Sequence, residues 1–347
     1  MKKIKCDVLI VGGGPAGSTV AYKLARGGAK VLVVDFKRVI GSPVQCAEFV
    51  PIQLYHQFSE FFDEGVIAQK VSKMVHFTPW GEVVSMDSPG FVLNRERFDY
   101  KIHSLASENG ATYLLRTKFV CFDDKTAVLE NIDSRERVLV EFNLLVGADG
   151  PRSRVAKLLG KHTKHFLTTA QITAPLKHPT EDLLIFFRNY IPAGYGWLFP
   201  KSDVANVGVG LDPSFGMNVM EALRIFIGEL VQNGFIEDRA LKRTGGWIPA
   251  EGLLDVLKGR VMLVGDAGGF CHPITGGGIA NAVLSGNMCA EAILDNRLED
   301  FAESAEDVFG ETLRRASLKR KIYMKEWNNL EERIRKTWIA FKEYWED

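Results

Sequence analysis

The first 35 residues constrain the fold of this chain most, because they predict a strand, a helix and a second strand in direct succession. Residues 6–11 are a short β-branched run that ends at glycine, as in a buried strand of a parallel sheet. A glycine-rich turn at 12–17 follows, and apolar residues then recur at helical spacing until Gly27. Residues 30–35 predict another buried strand. The pattern is a βαβ unit with a dinucleotide-binding fingerprint.

Each residue of this fingerprint has a separate physical role. Gly12 permits the tight turn, Gly14 lets the backbone approach a pyrophosphate, and Gly17 allows the helix to pack closely on the strand. The N–H groups and the dipole at the start of the helix favour the negative charge of a phosphate. Asp35 can accept hydrogen bonds from both ribose hydroxyls, and its charge would repel a 2′-phosphate. The predicted cofactor is therefore FAD or NAD.

Two further motifs decide between these cofactors. Residues 144–155 predict a buried strand that breaks at a Gly-Ala-Asp-Gly turn, and residues 260–268 repeat the pattern around Asp266. Residues 273–280 then lead through glycines into a helix. FAD lies extended, so its ribityl hydroxyls need an acceptor such as Asp266, and its N1/C2=O edge needs a positive helix N-terminus. The three motifs together predict FAD.

Composition excludes several other functions. Lysine plus arginine and aspartate plus glutamate both number 43, so no net charge attracts nucleic acid. The five cysteines lack the spacing of a disulfide framework or a zinc site, so we expect a reducing compartment and no metal. No run approaches the ~20 apolar residues of a membrane-spanning helix. We therefore expect a cytoplasmic protein, at most peripheral to a membrane, without a nucleic-acid partner.

The three motifs resemble those of the flavoprotein family typified by para-hydroxybenzoate hydroxylase. Arg95 stands in an Arg-x-x-Phe-Asp segment, whose arginine lies along the cofactor in that family; alternatively, it is a surface residue that opens an amphipathic helix. The resemblance implies an α/β fold: a Rossmann-like, doubly wound FAD-binding domain, an inserted antiparallel β-sheet substrate domain and a C-terminal helical tail. The expected cofactor-binding residues are Gly12, Gly14, Pro15, Ala16, Gly17, Asp35, Cys46, Ala47, Arg95, Asp149, Gly150, Asp266, Gly276, Gly278 and Ile279.

The same resemblance predicts how the domains divide the chain. The predicted segments are residues 1–70, 95–160 and 253–300 for the FAD-binding domain, 71–94 and 161–252 for the substrate domain, and 301–347 for the C-terminal helical region.

A second resemblance narrows the chemistry. Turn residues at short intervals in residues 182–210 predict a β-meander that is rich in aromatic side chains. Tyr195, Trp197 and Phe199 stand there in a Tyr-x-Trp-x-Phe-Pro segment, and Gly-x-Gly follows after seven residues. This signature is similar to that of the geranylgeranyl reductase family. We expect these three residues and Phe186 to line an apolar substrate cavity, with core filling as the alternative for Phe186.

The geranylgeranyl reductase family transfers hydride from reduced FAD to C=C bonds of isoprenoid chains, many of them lipid-borne, and the resemblance implies this activity here. One alternative is a flavin-dependent monooxygenase or halogenase, because the aromatic segment is also similar to the Gly-Trp-x-Trp-x-Ile-Pro segment of tryptophan halogenases. Another is an electron-transfer flavoprotein dehydrogenase. The electron donor, NAD(P)H or ferredoxin as a partner protein, stays undetermined.

Candidate catalytic residues follow from the same comparison. Archaeal members of the family carry a Cys-Gly-Glu segment near the flavin, and Cys46 occupies the matching place, with Ala47 as a departure. Alternatively, Cys46 is a small buried hydrophobe. His272 immediately precedes Pro273 in the third motif and could donate the proton that follows hydride transfer, as could Tyr195. Trp197 is a further catalytic candidate in the aromatic segment.

The C-terminal tail suggests a membrane surface. Residues 311–347 contain ten basic and seven acidic residues, and Trp327, Trp338 and Trp345 are half of all the tryptophans. Basic residues interleaved with Trp and Tyr suit an interfacial helix, so we expect peripheral membrane contact. The alternative is a helix or hairpin that packs on the FAD-binding domain or on a second subunit.

Overall fold

The computed structural model describes residues 2–325 and 329–346. Its strands are β1 (Lys2–Lys5), β2 (Val8–Val11), β3 (Val31–Val34), β4 (Phe49–Pro51), β5 (Ile67–Phe77), β6 (Val83–Leu93), β7 (Thr112–Leu114), β8 (Thr117–Asp123), β9 (Thr126–Asn131), β10 (Arg137–Glu141), β11 (Leu144–Gly147), β12 (Phe166–Pro175), β13 (Asp182–Phe186), β14 (Tyr195–Lys201), β15 (Val204–Leu211), β16 (Lys242–Pro249), β17 (Leu257–Lys258) and β18 (Val261–Leu263). Its α-helices are α1 (Pro15–Arg26), α2 (Ile52–Gln57), α3 (Arg95–Glu108), α4 (Arg154–Leu158), α5 (Val219–Gln232), α6 (Ile279–Leu294), α7 (Leu298–Ala305), α8 (Glu311–Met324) and α9 (Leu330–Thr337).

A six-stranded sheet forms the centre of the FAD-binding domain. Its strand order is β17-β18-β11-β2-β3-β7, and all pairs are parallel except β17 with β18. Helix α1 packs against both α3 and α6, and these helices cover one face, where a large apolar cluster lies. A four-stranded sheet, β1-β10-β9-β8, packs over the other face through a second cluster. The predicted Rossmann-like domain is confirmed.

An eight-stranded sheet forms the substrate domain. Its order is β16-β12-β15-β14-β13-β5-β6-β4, and only β13 and β5 pair in parallel. The sheet begins earlier in the sequence than the predicted boundary at residue 71, because β4 and the start of β5 already belong to it. Helix α5 packs on one face, and the other face is turned to the flavin motifs and to the C-terminal helices.

Side-chain alternation decides which aromatic residues face the flavin motifs. Trp197 pairs across the sheet with Ile185, so these side chains share a face, whereas Phe186 points to the opposite face. Phe186 packs there against Phe226 of α5, with ring centroids 5.2 Å apart. Phe187, one residue later, packs on the same side as Trp197. Phe186 is therefore corrected from a cavity-lining residue to a core residue beneath α5.

The C-terminal helices pack on the protein instead of lying free. Trp338 is 2% exposed and meets Tyr195 and Phe187 edge to face, with ring centroids 4.9 and 5.0 Å apart. Arg320, also 2% exposed, binds Asp212 and the carbonyl of Ala193. The structure thus favours the packing alternative for this part of the tail, while Trp327 lies outside the described residues. Across residues 2–325 and 329–346, no helix has the length and apolarity needed to cross a membrane.

Candidate flavin and substrate site

The glycine turn between β2 and α1 has the shape that a pyrophosphate requires. Gly12 has φ +103°, and a Cβ there would lie 2.2 Å from the carbonyl oxygen of Ala148. A Cβ on Gly17 would lie 1.9 Å from the carbonyl oxygen of Gly12. In contrast, apart from its chain neighbours, none of the described residues has a heavy atom within 4 Å of a Cβ placed on Gly14, the residue before α1. The outer glycines are thus needed for packing, and Gly14 leaves open space at the helix N-terminus formed by Pro15 and Ala16, as FAD would require.

Asp35 braces this turn. Its side chain is buried, Oδ2 accepts a hydrogen bond from the N–H of Gly13 at 2.8 Å, and Oδ1 accepts one from the N–H of Lys37 at 2.8 Å. Each carboxylate oxygen has a second lone pair. Asp35 can therefore still accept hydrogen bonds from a ribose, which keeps its predicted role compatible with the geometry.

In the second motif, the Asp149 carboxylate is used by hydrogen bonds within its own turn. Asp149 Oδ1 accepts a hydrogen bond from the Ser153 hydroxyl at 2.5 Å, and Oδ2 accepts one from the N–H of Arg154 at 2.6 Å. The carboxylate therefore holds the turn into α4, and burial raises its pKa. Gly150 has φ +78°, the left-handed region that favours glycine. This turn lies directly against Gly12, so the first two motifs form one wall.

Asp266 of the third motif is the acceptor that remains free. Within the described part of the chain its carboxylate makes no hydrogen bond, and burial raises its pKa to about 6 although the charge of Arg95 acts in the opposite direction. A Cβ on Gly278 would lie 3.3 Å from Asp266 Oδ1, which places the carboxylate against the turn of Gly276 and Gly278 that opens α6 at Ile279. A half-buried carboxylate that makes no hydrogen bond among the described residues can accept one from a ribityl hydroxyl.

Arg95 is not a surface residue. Its side chain is 13% exposed and forms a forked ion pair with Asp99, with Nε–Oδ1 and Nη2–Oδ2 distances of 2.9 and 3.0 Å. It begins α3, where its N–H donates to Glu48 Oε1 at 3.0 Å. Its charge acts on both Asp266 and Cys46. This position supports the predicted place along the cofactor.

The segment around Cys46 contains a buried carboxylate that the sequence analysis left unassigned. The Cys46 sulfur accepts a hydrogen bond from the N–H of Glu48 at 3.2 Å, and burial raises the pKa of the thiol. Glu48 has φ +76°, and its Oε2 binds Lys201 Nζ at 2.8 Å and Asn206 Nδ2 at 2.5 Å. Asn206 also donates to the carbonyl of Ala47 at 3.3 Å. The segment is thereby fixed to the substrate sheet. Lys201 and Asn206 lie more than 150 residues from Glu48 in the sequence, so no local motif predicts these contacts.

The aromatic signature is linked to the same segment. Trp197 Nε1 donates to Gln171 Oε1 at 2.9 Å, and Gln171 Nε2 donates to the carbonyl of Cys46 at 3.0 Å. The hydroxyl of Tyr195 donates to the carbonyl of Thr275 in the third motif. Burial raises the pKa of Tyr195, so its hydroxyl stays protonated at neutral pH. Tyr195 therefore contacts the third motif, and Trp197, whose ring centroid lies 5.9 Å from that of Tyr195, is linked through Gln171 to the Cys46 segment.

Phe199, the third aromatic residue of the signature, packs edge to face against Phe49, with centroids 6.3 Å apart. It lies on the same sheet face as Trp197 and is buried in the apolar cluster there. Its lining of a substrate cavity stays a prediction.

His272 braces the turn before α6. Its Nδ1 accepts hydrogen bonds from the N–H groups of Ile274 and Thr275 at 3.3 and 3.2 Å. Burial lowers its pKa to about 4, so the imidazole is neutral near pH 7 and only Nε2 carries a proton. These contacts favour a structural role for His272 over the predicted proton donation. They involve only Nδ1 and do not use the Nε2–H group.

The chain is similar to known oxidoreductases. The model of the FAD dependent oxidoreductase family matches residues 7–139. A digeranylgeranylglycerophospholipid reductase of Methanocella arvoryzae is 33% identical over 310 residues, which cover 84% of this chain and 78% of the relative. A protein of the same name, numbered 3, from Methanosphaera stadtmanae is 29% identical over 89% of this chain and 84% of its own length.

Solved structures give the same picture of the fold. A geranylgeranyl bacteriochlorophyll reductase-like protein of Thermoplasma acidophilum superposes with a TM-score of 0.86 at 25% identity, over 95% of this chain and 90% of its own. A p-nitrophenol 4-monooxygenase of Pseudomonas putida has a TM-score of 0.75 at 18% identity, over 96% and 92% of the two chains. The second likeness shows a shared fold alone.

Proposed function

Since this chain belongs to the digeranylgeranylglycerophospholipid reductase family of FAD-dependent oxidoreductases, we propose that it reduces C=C bonds in the isoprenoid chains of a lipid. The observation that carries the proposal is that Tyr195 is hydrogen-bonded to the third flavin motif while Trp197, beside it, is linked through Gln171 to the Cys46 segment. An aromatic wall beside a flavin provides the dry, apolar surroundings in which an alkene can be held.

The residues that would hold FAD are those of the three motifs. The open space at Gly14 and the helix after it would take the pyrophosphate, Asp35 the ribose, and Asp266 the ribityl hydroxyls. The N-terminus of α6 would stabilise negative charge on the ring. When bound and reduced, FAD supplies the hydride for the reaction.

The protein's own residues then hold the substrate and a proton. Trp197 and Phe199 would orient the isoprenoid chain, and the hydrogen bond to Gln171 fixes the indole of Trp197. Saturation of the double bond also needs a proton at the second carbon. Burial raises the pKa of both the Cys46 thiol and the Tyr195 hydroxyl, so each retains its proton at neutral pH. These two groups are the proposed proton sources.

Anaerobic photoreduction tests the proposal directly. The purified flavoprotein is photoreduced without oxygen, a geranylgeranyl lipid is added, and flavin absorbance is followed while the lipid is analysed by mass spectrometry. We expect reoxidation of the flavin together with the addition of two hydrogens per reduced double bond. No reoxidation with prenyl lipids, but rapid substrate-stimulated reaction with oxygen, would instead identify the monooxygenase alternative. Reduction by NAD(P)H or by ferredoxin in the same apparatus would assign the electron donor.

Peripheral membrane contact is proposed for the exposed side of the tail only. Trp345 is 58% exposed and Leu318 60% exposed, whereas Trp338 and Arg320 are used within the protein. Arg315 lies over the Trp345 ring at 5.7 Å, a combination that suits a lipid interface. Sedimentation with liposomes should therefore weaken in a Trp345→Ala, Leu318→Ser variant. Unchanged sedimentation of a folded variant would contradict membrane contact at this surface.

A further inference from the structure

The face of the substrate sheet that is turned to the flavin motifs divides into an aromatic half and a polar half. Cross-strand pairing places Trp197, Gly208 and Gln171 in one row, which continues to Thr244 on β16. The neighbouring row runs from Phe199 through Asn206 and Thr173 to Lys242. In both rows the aromatic residue lies on β14 and polar residues lie on β12 and β16, and the second row adds the polar Asn206 on β15. The hydrogen bond from Trp197 to Gln171 joins the two halves.

A cleft lies over the polar half. It has a volume of about 260 Å³, and residues on both sides of Cys46, namely Val44 and Glu48, line it together with Gln171 and Asn206. A wider groove of about 540 Å³ shares Thr173, Lys201 and Lys242 with this cleft. The groove continues outward to Leu241 and Ile67. A molecule in the groove therefore has a continuous path toward the segment that carries Cys46.

The cleft has an excess of positive charge. Arg95, Arg97, Lys201 and Lys242 line it, against the carboxylates of Glu48 and Glu96. The side chain of Arg95 is already neutralised by Asp99, which still leaves three cations against two carboxylates.

The two lysines in this cleft have donors to spare. Lys201 binds Glu48 at 2.8 Å and Lys242 binds Glu96 at 2.8 Å. An ammonium group has three donors, so each lysine retains N–H groups for a ligand. Lys201, only 17% exposed, would bind an anion with little competition from water.

We propose that this cleft binds the phosphate-bearing headgroup of the lipid substrate, with Lys201 and Lys242 as its anion ligands. The proposal rests on the proposed function, because it assumes a substrate with an apolar chain and a polar end. The divided sheet face matches such a molecule, since the aromatic half suits the isoprenoid chain and the polar half suits the headgroup. A phosphate is the chemical class indicated, because lysine ammonium groups bind it as point charges.

Binding to the oxidised holoprotein tests the subsite without using the reaction. The probes are digeranylgeranylglyceryl phosphate and digeranylgeranylglycerol, the same lipid without its phosphate, each dispersed in neutral detergent and measured by equilibrium dialysis. Lys201→Gln combined with Lys242→Gln should raise the ratio of the Kd for the phosphate lipid to that for the glycerol lipid about tenfold or more. Lys118→Gln, an exposed lysine on β8, is the matched control and should leave this ratio unchanged.

Lys201→Arg keeps a positive charge beside the buried Glu48, so it separates the loss of an anion ligand from a loss of folding. It should restore most of the preference for phosphate, and the bound-flavin spectrum reports whether each variant retains FAD. An unchanged Kd ratio in the folded double variant would overturn the proposal. So would a loss of flavin reduction by NAD(P)H with an unchanged Kd ratio, which would assign the cations to the phosphates of the donor. If the wild type binds the lipid phosphate selectively but reduces no prenyl lipid, the proposed function fails and the subsite stands.

Discussion

Replacement of Asp266 by asparagine should make the FAD-free protein more stable while weakening its hold on FAD. In the folded chain the pKa of Asp266 is raised by burial from 3.8 to about 6. The folded protein therefore binds a proton that the unfolded chain releases between these pH values, so stability falls as pH rises through the interval. Each pH unit costs about 1.4 kcal/mol, which amounts to about 3 kcal/mol above pH 6. Asparagine carries no charge and escapes this penalty.

The assay is urea unfolding of the FAD-free protein between pH 4 and pH 8. The free energy of unfolding of Asp266→Asn should exceed that of the wild type by about 2–3 kcal/mol at pH 7.5 and by little near pH 4. FAD should dissociate about tenfold more readily from the variant, because a charged acceptor to a hydroxyl is lost. Asp238→Asn, on an exposed loop, is the control and should change neither quantity. A stability difference that is the same at every pH would refute the reasoning.

Three further substitutions test the packing of the site. Gly12→Ala should abolish FAD binding, because its Cβ would clash with the backbone of Ala148. Gly28 also has a positive φ but faces open space, so Gly28→Ala should cost about 1 kcal/mol of unfolding free energy and keep the spectrum of bound flavin. Trp338→Ala should lower the unfolding free energy in urea by about 3–5 kcal/mol, and the exposed Trp345→Ala by less than about 0.5; equal losses would contradict the packing described. Tyr195→Phe should slow flavin reoxidation by a prenyl lipid about 100-fold at unchanged FAD affinity if its hydroxyl supplies the proton, and an unchanged rate would leave that role to Cys46.

The sequence was sufficient for the cofactor domain because its signals are local. A buried strand, a glycine turn and a helix follow one another within a few residues, so the Rossmann-like unit and the three motifs could be predicted. The sheet face on which Phe186 lies could not be predicted, because an uninterrupted apolar run shows no alternation that distinguishes Phe186 from Phe187. The structure resolves this through the pairing of β13 with β14.

The remaining surprises are contacts between residues far apart in sequence. Glu48 meets Lys201 and Asn206 only because the substrate sheet folds back over the segment after β3. Similarly, the polar composition of the tail indicated a surface, yet Trp338 is buried against Tyr195 through contacts that no helical periodicity reveals. Composition describes an element's average character, whereas a single aromatic anchor decides where it docks.

The central position of β11 has a consequence for the order in which this protein matures. One edge of β11 pairs with β2, which is synthesised early, but its other edge waits for β18, more than one hundred residues later. While the chain emerges from the ribosome, this half-made sheet must keep an unsatisfied edge, with strands β12 to β16 of the substrate sheet arriving in between. Capture of the coenzyme is thus a late event in biogenesis, and nascent chains halted before β18 should be open to proteases and chaperones.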